Sequence, residues 1–312
     1  MQQENTSPST FPSDGKKIGF IGLGLMGKPM AHHLKKAGAE VIIHNRSQEV
    51  VNELKEEGFI AAPSPAAVAE AVKDGYIILM LTNTYAVEAV VEGEKGLFTT
   101  LQPGATVIDM GSTWIRETQK WQKTALGKGA DWIDAPVSGG QQGATDATLT
   151  IMAGGTKNTF ERVKPILEVL GTNVTYMGGS GTGQATKLAN QIIVANTIAS
   201  VSEAFLLCDA VGVDLAAARK ALLSGFAGSK ILDMHGLRMI EENYAPGGRA
   251  TGQLKDLVEA CRVAEDQGLD LPMLTTNKKL WEQMLEAGMG DLDHSALYKF
   301  YQKIHNKQPK KS

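Results

Sequence analysis

The sequence predicts an α/β fold in which a doubly wound parallel sheet is followed by an all-α domain. Two observations predict it. From Lys17 to about Gly178, short apolar strands alternate with helical stretches, which is typical of a parallel sheet covered by helices on both faces. Beyond Gly183, strand signals almost vanish and helical patterns continue to Ile304. A chain of 312 residues is long enough for two domains of ordinary size.

We expect the chain to divide into four parts. Residues 1–16 are polar and rich in Ser, Thr and Pro, and should form a disordered N-terminal extension. Residues 17–180 should form the α/β domain and residues 181–305 the helical domain, followed by a flexible tail at 306–312. The glycine-rich link Gly178-Gly-Ser-Gly-Thr-Gly183 marks the boundary between the two domains.

Short apolar segments are predicted as the strands of the sheet. Tyr76–Leu81 has no polar alternation, as expected of a strand buried on both faces. The predicted strands are Ile18–Ile21, Val41–His44, Tyr76–Leu81, Thr106–Asp109, Asp131–Asp134, Leu149–Ala153 and Val174–Met177.

The helices that follow include one of unusual length. Gln184–Val211 is predicted as a single helix of roughly 28 residues, on the order of 40 Å long. Apolar residues surround it almost completely, which predicts a buried core helix that is also part of a subunit interface, and hence a homodimer or homotetramer. Other helices are predicted at Lys28–Ala37, Leu215–Ser224, Ser229–Asn243, Thr251–Gln267, Pro272–Ala287 and Ser295–Ile304.

Composition excludes several classes of function. The content of 43% hydrophobic and 21% charged residues is typical of a soluble globular protein. With 31 basic and 34 acidic residues, no bulk charge favours nucleic acid or an anionic membrane as partner. No apolar run reaches the roughly 20 residues that span a bilayer, and the N-terminus lacks a signal-peptide core. Cys208 and Cys261 are expected to be free thiols, which favours a reducing, cytoplasmic location.

A glycine fingerprint follows the first strand. Ile18-Gly-Phe-Ile-Gly22-Leu-Gly24-Leu-Met-Gly27 is an apolar strand that runs into Gly-x-Gly-x-x-Gly and then a helix. Gly22 would permit the tight turn, Gly24 the approach of a pyrophosphate, and Gly27 close packing of helix on strand. The helix N-terminus would offer N–H groups and the positive end of its dipole to the phosphates. The pattern indicates a Rossmann-type dinucleotide site formed by Gly22, Leu23, Gly24, Leu25, Met26 and Gly27.

The end of the second strand distinguishes the two nicotinamide cofactors. An acidic residue there binds the ribose 2′-hydroxyl of NAD, whereas an arginine accepts the 2′-phosphate of NADP. This chain has Asn45, Arg46 and Ser47 at that point, with no carboxylate before Glu49. Arg46 can bind a phosphate with two hydrogen bonds and Ser47 can add a hydroxyl donor. The sequence therefore favours NADPH, with NAD as the alternative, and the layout disfavours FAD.

Three further polar segments are candidates for the chemistry. The first is Ser138-Gly139-Gly140, whose small residues expose N–H groups that can hold a carboxylate. The second is Lys187-Leu-Ala-Asn190-Gln191, which shares one face near the start of an otherwise apolar helix. The third is Gln253-Leu-Lys255-Asp256, within another helix. Each segment alone is also compatible with solvated or capping polar residues.

Together these motifs resemble the β-hydroxyacid dehydrogenase family, which includes 3-hydroxyisobutyrate dehydrogenase and tartronate semialdehyde reductase. The resemblance covers Lys17 to Ile304. It is carried by the glycine fingerprint, Asp134-Ala-Pro-Val-Ser-Gly-Gly, Gly181-Thr-Gly-Gln-Ala-Thr-Lys187-Leu-Ala-Asn190-Gln and Lys255-Asp256-Leu. Gly225-Phe-Ala-Gly228-Ser229 and Gly290-Asp-Leu-Asp-His294-Ser295-Ala-Leu resemble the tartronate semialdehyde reductases within it. Gly248 stands where many members carry Phe, so the exact substrate stays open.

The resemblance implies a role for each candidate residue. Lys187 would be the general acid that protonates the carbonyl oxygen, and Asn190 would orient the substrate. Ser138, Gly139 and Gly140 would bind its carboxylate. Lys255 would lie beside the nicotinamide and contact cofactor or substrate. The cofactor groove would also be lined by residues that follow two further strands, namely Leu81, Thr82, Asn83, Ser112 and Thr113.

Alternative functions remain open. The same fold could reduce another small aldehyde or an imine, oxidise 3-hydroxyisobutyrate, or decarboxylate oxidatively like 6-phosphogluconate dehydrogenase. The chain is expected to be too short for the larger helical domain of that last enzyme. A non-catalytic NADPH-binding module is the alternative of another class, against which Ser138, Lys187 and Asn190 together argue. No metal is expected, because no pair of the six histidines has the His-x-x-x-His spacing.

Overall fold

The computed structural model describes residue 15 and residues 17–306. The predicted extension 1–16 and tail 306–312 therefore lie outside the described residues, apart from Gly15 and Asn306. Two compact units make up the described part of the chain. The first unit ends at Lys187 and the second begins at Leu188.

The first unit contains one sheet with helices along the chain between its strands. The strands are β1 Ile18–Ile21, β2 Val41–His44, β3 Ile60–Ala61, β4 Tyr76–Leu79, β5 Thr106–Asp109, β6 Asp131–Asp134, β7 Val137–Ser138, β8 Thr150–Gly154 and β9 Asn173–Gly178. The order is β3-β2-β1-β4-β5-β6-β8-β7, with β9 paired to β8. Helices are α1 Gly27–Lys36, α2 Gln48–Glu56, α3 Pro65–Val72, α4 Thr84–Glu92, α5 Leu97–Thr100, α6 Ile115–Gly127, α7 Gly140–Thr145 and α8 Lys157–Leu167.

The predicted fold class is confirmed, with one local difference at the far edge of the sheet. Strands β1 to β6 pair in parallel, as the alternation of strands and helices predicts. Strand β8, however, is antiparallel to β6 and β7. The connection from β6 to β8 holds only β7 and the short α7, and so brief a return reverses the chain instead of crossing over the sheet. The two-residue strands β3 and β7 have no periodic signal and were not predicted.

Both faces of the parallel sheet are buried, which explains the unbroken apolar strands. Successive side chains of a strand point to opposite faces, so Phe20 enters one core cluster and Ile21 the other. The same division holds for Ile43 and Ile42 in the next strand. The remaining strands contribute Ile78, Ile108 and Ile133 to the first cluster and Ile77, Val107 and Trp132 to the second. The carboxyl ends of the central strands are thereby held in register at one edge.

The long helix begins in the first unit and continues through the second. It is α9 Thr182–Ala210, two residues earlier at its start than predicted. The helices that follow are α10 Leu215–Leu223, α11 Lys230–Ile240, α12 Ala250–Asp266, α13 Pro272–Glu286 and α14 Leu297–Ile304, the last preceded by a 3-10 turn at His294–Ala296.

The prediction that α9 is buried on all faces is wrong for the isolated chain. Ile198 and Phe205 are fully buried, but Ile193 is 67% and Leu207 69% exposed. By length and composition this helix could cross a membrane, with a mean hydropathy of 1.5 over its most apolar window. That is weak evidence, because core helices of soluble proteins meet the same criterion.

Candidate active site

The carboxyl ends of the parallel strands bring the predicted cofactor residues to one edge of the sheet. Ile21 pairs with His44 on one side and with Leu79 on the other. Leu79 in turn pairs with Asp109. The segments that follow these strands therefore start side by side, which is where open α/β sheets bind ligands. They are Gly22–Gly27, Asn45–Ser47, Leu81–Asn83 and Gly111–Thr113.

Two of the three fingerprint glycines, Gly22 and Gly27, are required by close backbone contacts. Gly22 has φ +103°, and a Cβ there would lie 2.2 Å from the Met80 carbonyl oxygen. A Cβ at Gly27 would lie 1.8 Å from the carbonyl oxygen of Gly22, so α1 can approach the turn only with glycine at that position. Around Gly24, in contrast, a Cβ would meet nothing within 4 Å. The turn is thus closed against the sheet and open at Gly24, as a cradle for a pyrophosphate must be.

A cavity of about 720 Å³ adjoins this turn, within the size range of small-molecule sites. One wall consists of the fingerprint and the exposed side of α1, and the other of α7. The lining residues are Leu23, Gly24, Leu25, Lys28, Pro29, His32, His33, Gln141 and Thr145. The cavity therefore connects the predicted cofactor turn with the helix that follows Gly139.

The three residues after β2, Asn45, Arg46 and Ser47, differ in how far they are exposed to solvent. Asn45 is half-buried, and its Oδ1 accepts the Leu23 N–H at 3.0 Å, so this side chain braces the glycine turn. Arg46 and Ser47 are exposed. Arg46 and Ser47 are therefore accessible to a 2′-phosphate, whereas the Asn45 side chain is already hydrogen-bonded to the Leu23 backbone.

Several predicted groove residues are engaged in holding the backbone. Asn83 caps α4, since its Oδ1 accepts the Ala86 N–H at 2.9 Å. Thr113 is 3% exposed and its hydroxyl donates to Asp109 Oδ2 at 2.6 Å. Thr113 is therefore buried as a whole, since its hydroxyl is directed to Asp109 and its N–H to Gln184 Oε1. Leu81 and Ser112 are half-buried, and Thr82 is exposed.

The segment predicted to bind a carboxylate runs from the last residue of β7 to the first residue of α7. Ser138 is half-buried, and Gly139 and Gly140 are exposed. Both glycines have positive φ, +138° and +61°, a conformation that other residues rarely adopt. The loop is therefore built around glycines, while the binding of a carboxylate by their N–H groups stays a prediction.

Asp134 at the end of β6 anchors the start of the long helix. It is fully buried, and its two carboxylate oxygens accept the N–H groups of Gly181 and Gln184 at 2.8 and 3.0 Å. Burial raises the pKa of Asp134 to about 6, against the lowering effect of these hydrogen bonds. One turn further along the same helix lies Lys187, which is only 9% exposed. A lysine this buried in a folded protein calls for a specific role.

In the second unit, a chain of polar contacts links α9 to α12. Asn190 Nδ2 donates to Gln191 Oε1 at 2.8 Å, and Gln191 Nε2 donates to Asp256 Oδ2 at 2.8 Å. Gln253 Nε2 donates to the Gln191 carbonyl oxygen at 3.1 Å. Lys255 Nζ lies 3.2 Å from Asp256 Oδ1. The structure thus brings the predicted residues Asn190 and Lys255 into one network through Gln191 and Asp256, which belong to the same candidate segments but were given no role of their own.

Two histidines that are far apart in sequence meet in the second unit. His235 Nε2 and His294 Nε2 are 3.1 Å apart, and Asp293 lies within 4.8 Å of both. The Asp293 carboxylate, however, already accepts the N–H groups of Gly247 and Gly248 at 3.0 Å each, together with two hydrogen bonds from Ser295. This saturation makes Asp293 a poor metal ligand. The prediction that no metal is needed stays a prediction.

Sequence reasoning assigned no role of their own to several polar side chains that hold the site together, although all but Asp109 lie within the motifs it quoted. They are the buried Asp109, Asp134, Gln184, Gln253 and Asp256 and the half-buried Gln191. A usable signal existed for Gln184 and Gln191, because glutamines inside an apolar helix need partners. The identity of those partners, on strands and helices distant in sequence, had no local signal.

Comparisons with known proteins cover the chain almost completely. Residues 17–178 match the family described as the NAD binding domain of 6-phosphogluconate dehydrogenase. Residues 181–301 match the family described as NAD-binding of NADP-dependent 3-hydroxyisobutyrate dehydrogenase. The 2-hydroxy-3-oxopropionate reductase of Escherichia coli is 43% identical over 281 residues, which are 90% of this chain and 95% of that protein.

Two solved structures are similar over nearly their whole length. The 3-hydroxyisobutyrate dehydrogenase of Salmonella typhimurium has a TM-score of 0.83 at 25% identity, covering 91% of this chain and 99% of that one. Psf3, solved in complex with NADP+ and 2-OPP, has a TM-score of 0.84 at 25% identity with the same coverage. The similarity therefore extends over most of the chain and is not limited to one motif.

Proposed function

The chain belongs to the 3-hydroxyisobutyrate dehydrogenase family of NAD(P)-dependent hydroxyacid dehydrogenases, and we propose that it reduces 2-hydroxy-3-oxopropanoate (tartronate semialdehyde) to glycerate with NADPH. The observation that carries the chemistry is Lys187, a buried lysine one turn into the helix that starts at the sheet edge. The choice of substrate is supported by the 43% identity to a reductase of that name.

The first unit fits a nicotinamide dinucleotide. Its glycine turn is open at Gly24, where a Cβ would meet nothing within 4 Å, and it leads directly into the N-terminus of α1. That helix begins with no acidic residue in its first turn, so no carboxylate repels a phosphate. We assign the pyrophosphate to residues 22–27 and the adenosine end to Asn45, Arg46 and Ser47.

The preference for NADPH is carried by the segment after β2. Arg46 is exposed and can form two hydrogen bonds with a 2′-phosphate. A carboxylate that would bind the 2′-hydroxyl of NADH and repel a phosphate is missing from positions 44–48. The neighbouring structure solved with NADP+ supports the same choice.

The reaction needs a proton and an anchored substrate from this chain. Bound NADPH supplies the hydride for the aldehyde carbon. The Lys187 ammonium donates a proton to the carbonyl oxygen and, in the reverse direction, the amine accepts it from the hydroxyl group. The N–H groups at Gly139 and Gly140, with the Ser138 hydroxyl, bind the substrate carboxylate. Asn190, fixed through Gln191, orients the reacting oxygen, while Lys255 contacts cofactor or substrate.

A panel of small oxo and hydroxy acids, assayed with both cofactors by absorbance at 340 nm, tests the substrate assignment. We expect the largest kcat/KM for tartronate semialdehyde with NADPH. A larger kcat/KM for another aldehyde, or for 3-hydroxyisobutyrate oxidation, would replace the substrate and leave the family intact. Oxidation of 3-hydroxyisobutyrate is the second candidate, favoured by the structural similarity to the Salmonella dehydrogenase.

Two substitutions at Lys187 test the proton donor. Lys187→Ala removes the side chain, and Lys187→Met keeps an apolar stem that fills the buried site without a proton to give. We expect kcat to fall at least about 10²-fold in both, with NADPH affinity nearly unchanged. Turnover at the wild-type rate in either variant would refute the mechanism.

Assembly and location are part of the same proposal. The exposed apolar side chains of α9, Ile193 and Leu207, would be covered in a homodimer or homotetramer. Both cysteines are free in the structure, which agrees with a reducing, cytoplasmic compartment. Neither nucleic acid nor a membrane is a proposed partner.

A further inference from the structure

Gln184 is a buried glutamine at the start of α9 whose side chain is bonded to a single loop. It is 1% exposed and lies three residues before Lys187, so about one helical turn separates the two. Its Nε2 donates to the Gly111 carbonyl oxygen at 2.9 Å and to Thr113 Oγ1 at 2.8 Å. Its Oε1 accepts the Thr113 N–H at 3.1 Å. Three hydrogen bonds thus attach the helix to the loop that follows β5.

Asp109 holds the same loop from the other side. The Thr113 hydroxyl donates to Asp109 Oδ2 at 2.6 Å, and the Gly111 N–H donates to Asp109 Oδ1 at 3.1 Å. Because the Thr113 hydroxyl directs its proton to Asp109, its lone pairs face Gln184. A flipped Gln184 amide would set its NH₂ group against the Thr113 N–H and its oxygen against the Gly111 oxygen. The network therefore accepts a single orientation of this amide.

The backbone of the same helical turn is fixed independently. Asp134 accepts the N–H groups of Gly181 and Gln184, which attaches the turn to the end of β6. A Cβ at Gly183 would lie 2.8 Å from Asp134 Oδ2, so helix and carboxylate are in close contact. The first turn of α9 is thus held by a strand through its backbone and by the Gly111–Thr113 loop through Gln184.

We propose that Gln184 is a positioning residue of the reaction, which sets the place of Lys187 relative to the Gly111–Thr113 loop of the cofactor groove. The inference rests on the proposed function, because it requires Lys187 to be the proton donor. An α-helix is stiff over one turn, so the backbone at residues 184 and 187 moves together. A displacement of about 1 Å at a reacting group can cost on the order of a hundredfold in rate.

Gln184→Leu removes all three side-chain bonds at similar volume. We expect kcat to fall at least about tenfold, while the Kd for NADPH, measured by fluorescence titration, changes less than about threefold. This division is expected because the proposed pyrophosphate contacts are made by residues 22–27 and not by Gln184. A purely structural role would lower melting temperature and cofactor binding without a selective loss of kcat.

Gln184→Glu supplies a readout that a structural role would not give. When protonated, the introduced carboxyl group can still accept from the Thr113 N–H and donate to the Gly111 oxygen. When ionised, it has no proton to donate and faces that oxygen with like charge. We expect kcat of this variant to decrease with rising pH through an ionisation that is missing in wild-type protein and in Gln184→Leu.

Asn277→Leu is the matched control. Asn277 is 3% exposed, and its amide donates to Asn196 Oδ1 at 2.9 Å, well beyond Lys187 along α9. The Asn277→Leu substitution should lower the melting temperature and leave kcat unchanged. A folded Gln184→Leu variant with kcat within about threefold of wild type overturns the inference, as does a Gln184→Glu profile without the new ionisation. If Gln184→Leu does not fold, the pH dependence of kcat in Gln184→Glu alone tests the positioning role.

The two proposals fail in distinguishable ways. If Lys187→Met loses activity while Gln184→Leu keeps it, only the positioning role is refuted. If Lys187→Met keeps its activity, the proposed proton donor is refuted, and the positioning role with it. If Lys187→Met and Gln184→Leu both lose kcat, and Gln184→Glu shows the new ionisation, the proton-donor role and the positioning role are both supported.

Discussion

Asp134, which anchors the start of the long helix, offers a test of whether burial or hydrogen bonding has the larger effect on the pKa of a buried carboxyl group. Its carboxylate is fully buried yet accepts two backbone N–H bonds, from Gly181 and Gln184. Burial is the larger influence and raises the pKa from 3.8 to about 6. The folded protein therefore keeps a proton on Asp134 at pH values where the unfolded chain has released it. The perturbation is Asp134→Asn, which cannot titrate.

The sign and size of the effect follow from linkage. Between the two pKa values the native state binds one more proton than the unfolded state, so the free energy of unfolding falls as pH rises. The interval from 3.8 to about 6, at about 1.4 kcal/mol per pH unit, corresponds to about 3 kcal/mol. This stability is fully present below pH 3.8 and is lost as pH rises through about 6. In the variant, the asparagine NH₂ group faces a backbone N–H, which changes the free energy of unfolding by a further amount. That amount is the same at every pH, because asparagine does not titrate.

The assay is urea unfolding of wild type and Asp134→Asn from pH 4 to pH 8, followed by tryptophan fluorescence. Trp114, Trp121 and Trp132 all belong to the first unit and report on it. The stability of wild type minus that of the variant should fall by about 2.4 kcal/mol over this range, because part of the full effect is already lost at pH 4. Asp146→Asn, which removes an exposed carboxylate from the same unit, should show no such fall.

A difference that rises with pH would refute the reasoning. That sign belongs to a carboxylate whose hydrogen bonds outweigh its burial and hold its pKa below the ordinary value. A difference that stays flat would show that Asp134 titrates alike in the folded and unfolded chains, and would refute it equally.

The remaining predictions concern the cofactor and the assembly. Arg46→Ala should lower the ratio of kcat/KM for NADPH over NADH at least about fivefold, because the 2′-phosphate loses a charged partner worth about 1 kcal/mol or more. As the control, Lys55→Ala, which removes an exposed lysine on α2, should leave this ratio unchanged. An unchanged ratio in Arg46→Ala would contradict the cofactor assignment. Light scattering at micromolar concentration should give at least twice the 33.3 kDa chain mass, and Leu207→Glu on the exposed face of α9 should shift it towards the monomer. A monomeric wild type would refute the proposed interface.

Much of the first unit could be predicted from local patterns. The seven predicted strands all exist, and the fingerprint at Gly22–Gly27 occupies the turn between β1 and α1. The two-residue strands β3 and β7 could not be predicted, since neither is long enough to show a period. The antiparallel pairing of β8 was missed for another reason. Strand direction depends on the path of the connection and not on the residues of the strand.

Side-chain roles were predicted less completely than positions. Thr113 was expected to line the groove, but its hydroxyl is turned inward to Asp109. Asn45 was expected to contact the cofactor, and it supports the glycine turn by accepting the Leu23 N–H. In both cases the sequence placed the residue after the strand that the structure shows before it. The direction of the side chain was decided by a buried polar partner from another strand or loop.

The sequence by itself determined the fold class, the glycine turn and the family, because these depend on apolar periods and on residue spacings of a few positions. Only the tertiary structure decided the polar network around Lys187. Gln184 and Thr113 are 71 residues apart, and Asp134 and Gly181 are 47 apart, yet both pairs are hydrogen-bonded. Such partners meet because the packed sheet brings the ends of β5 and β6 to the start of α9. Burial then requires each polar group to find a partner there, and no local pattern encodes which one.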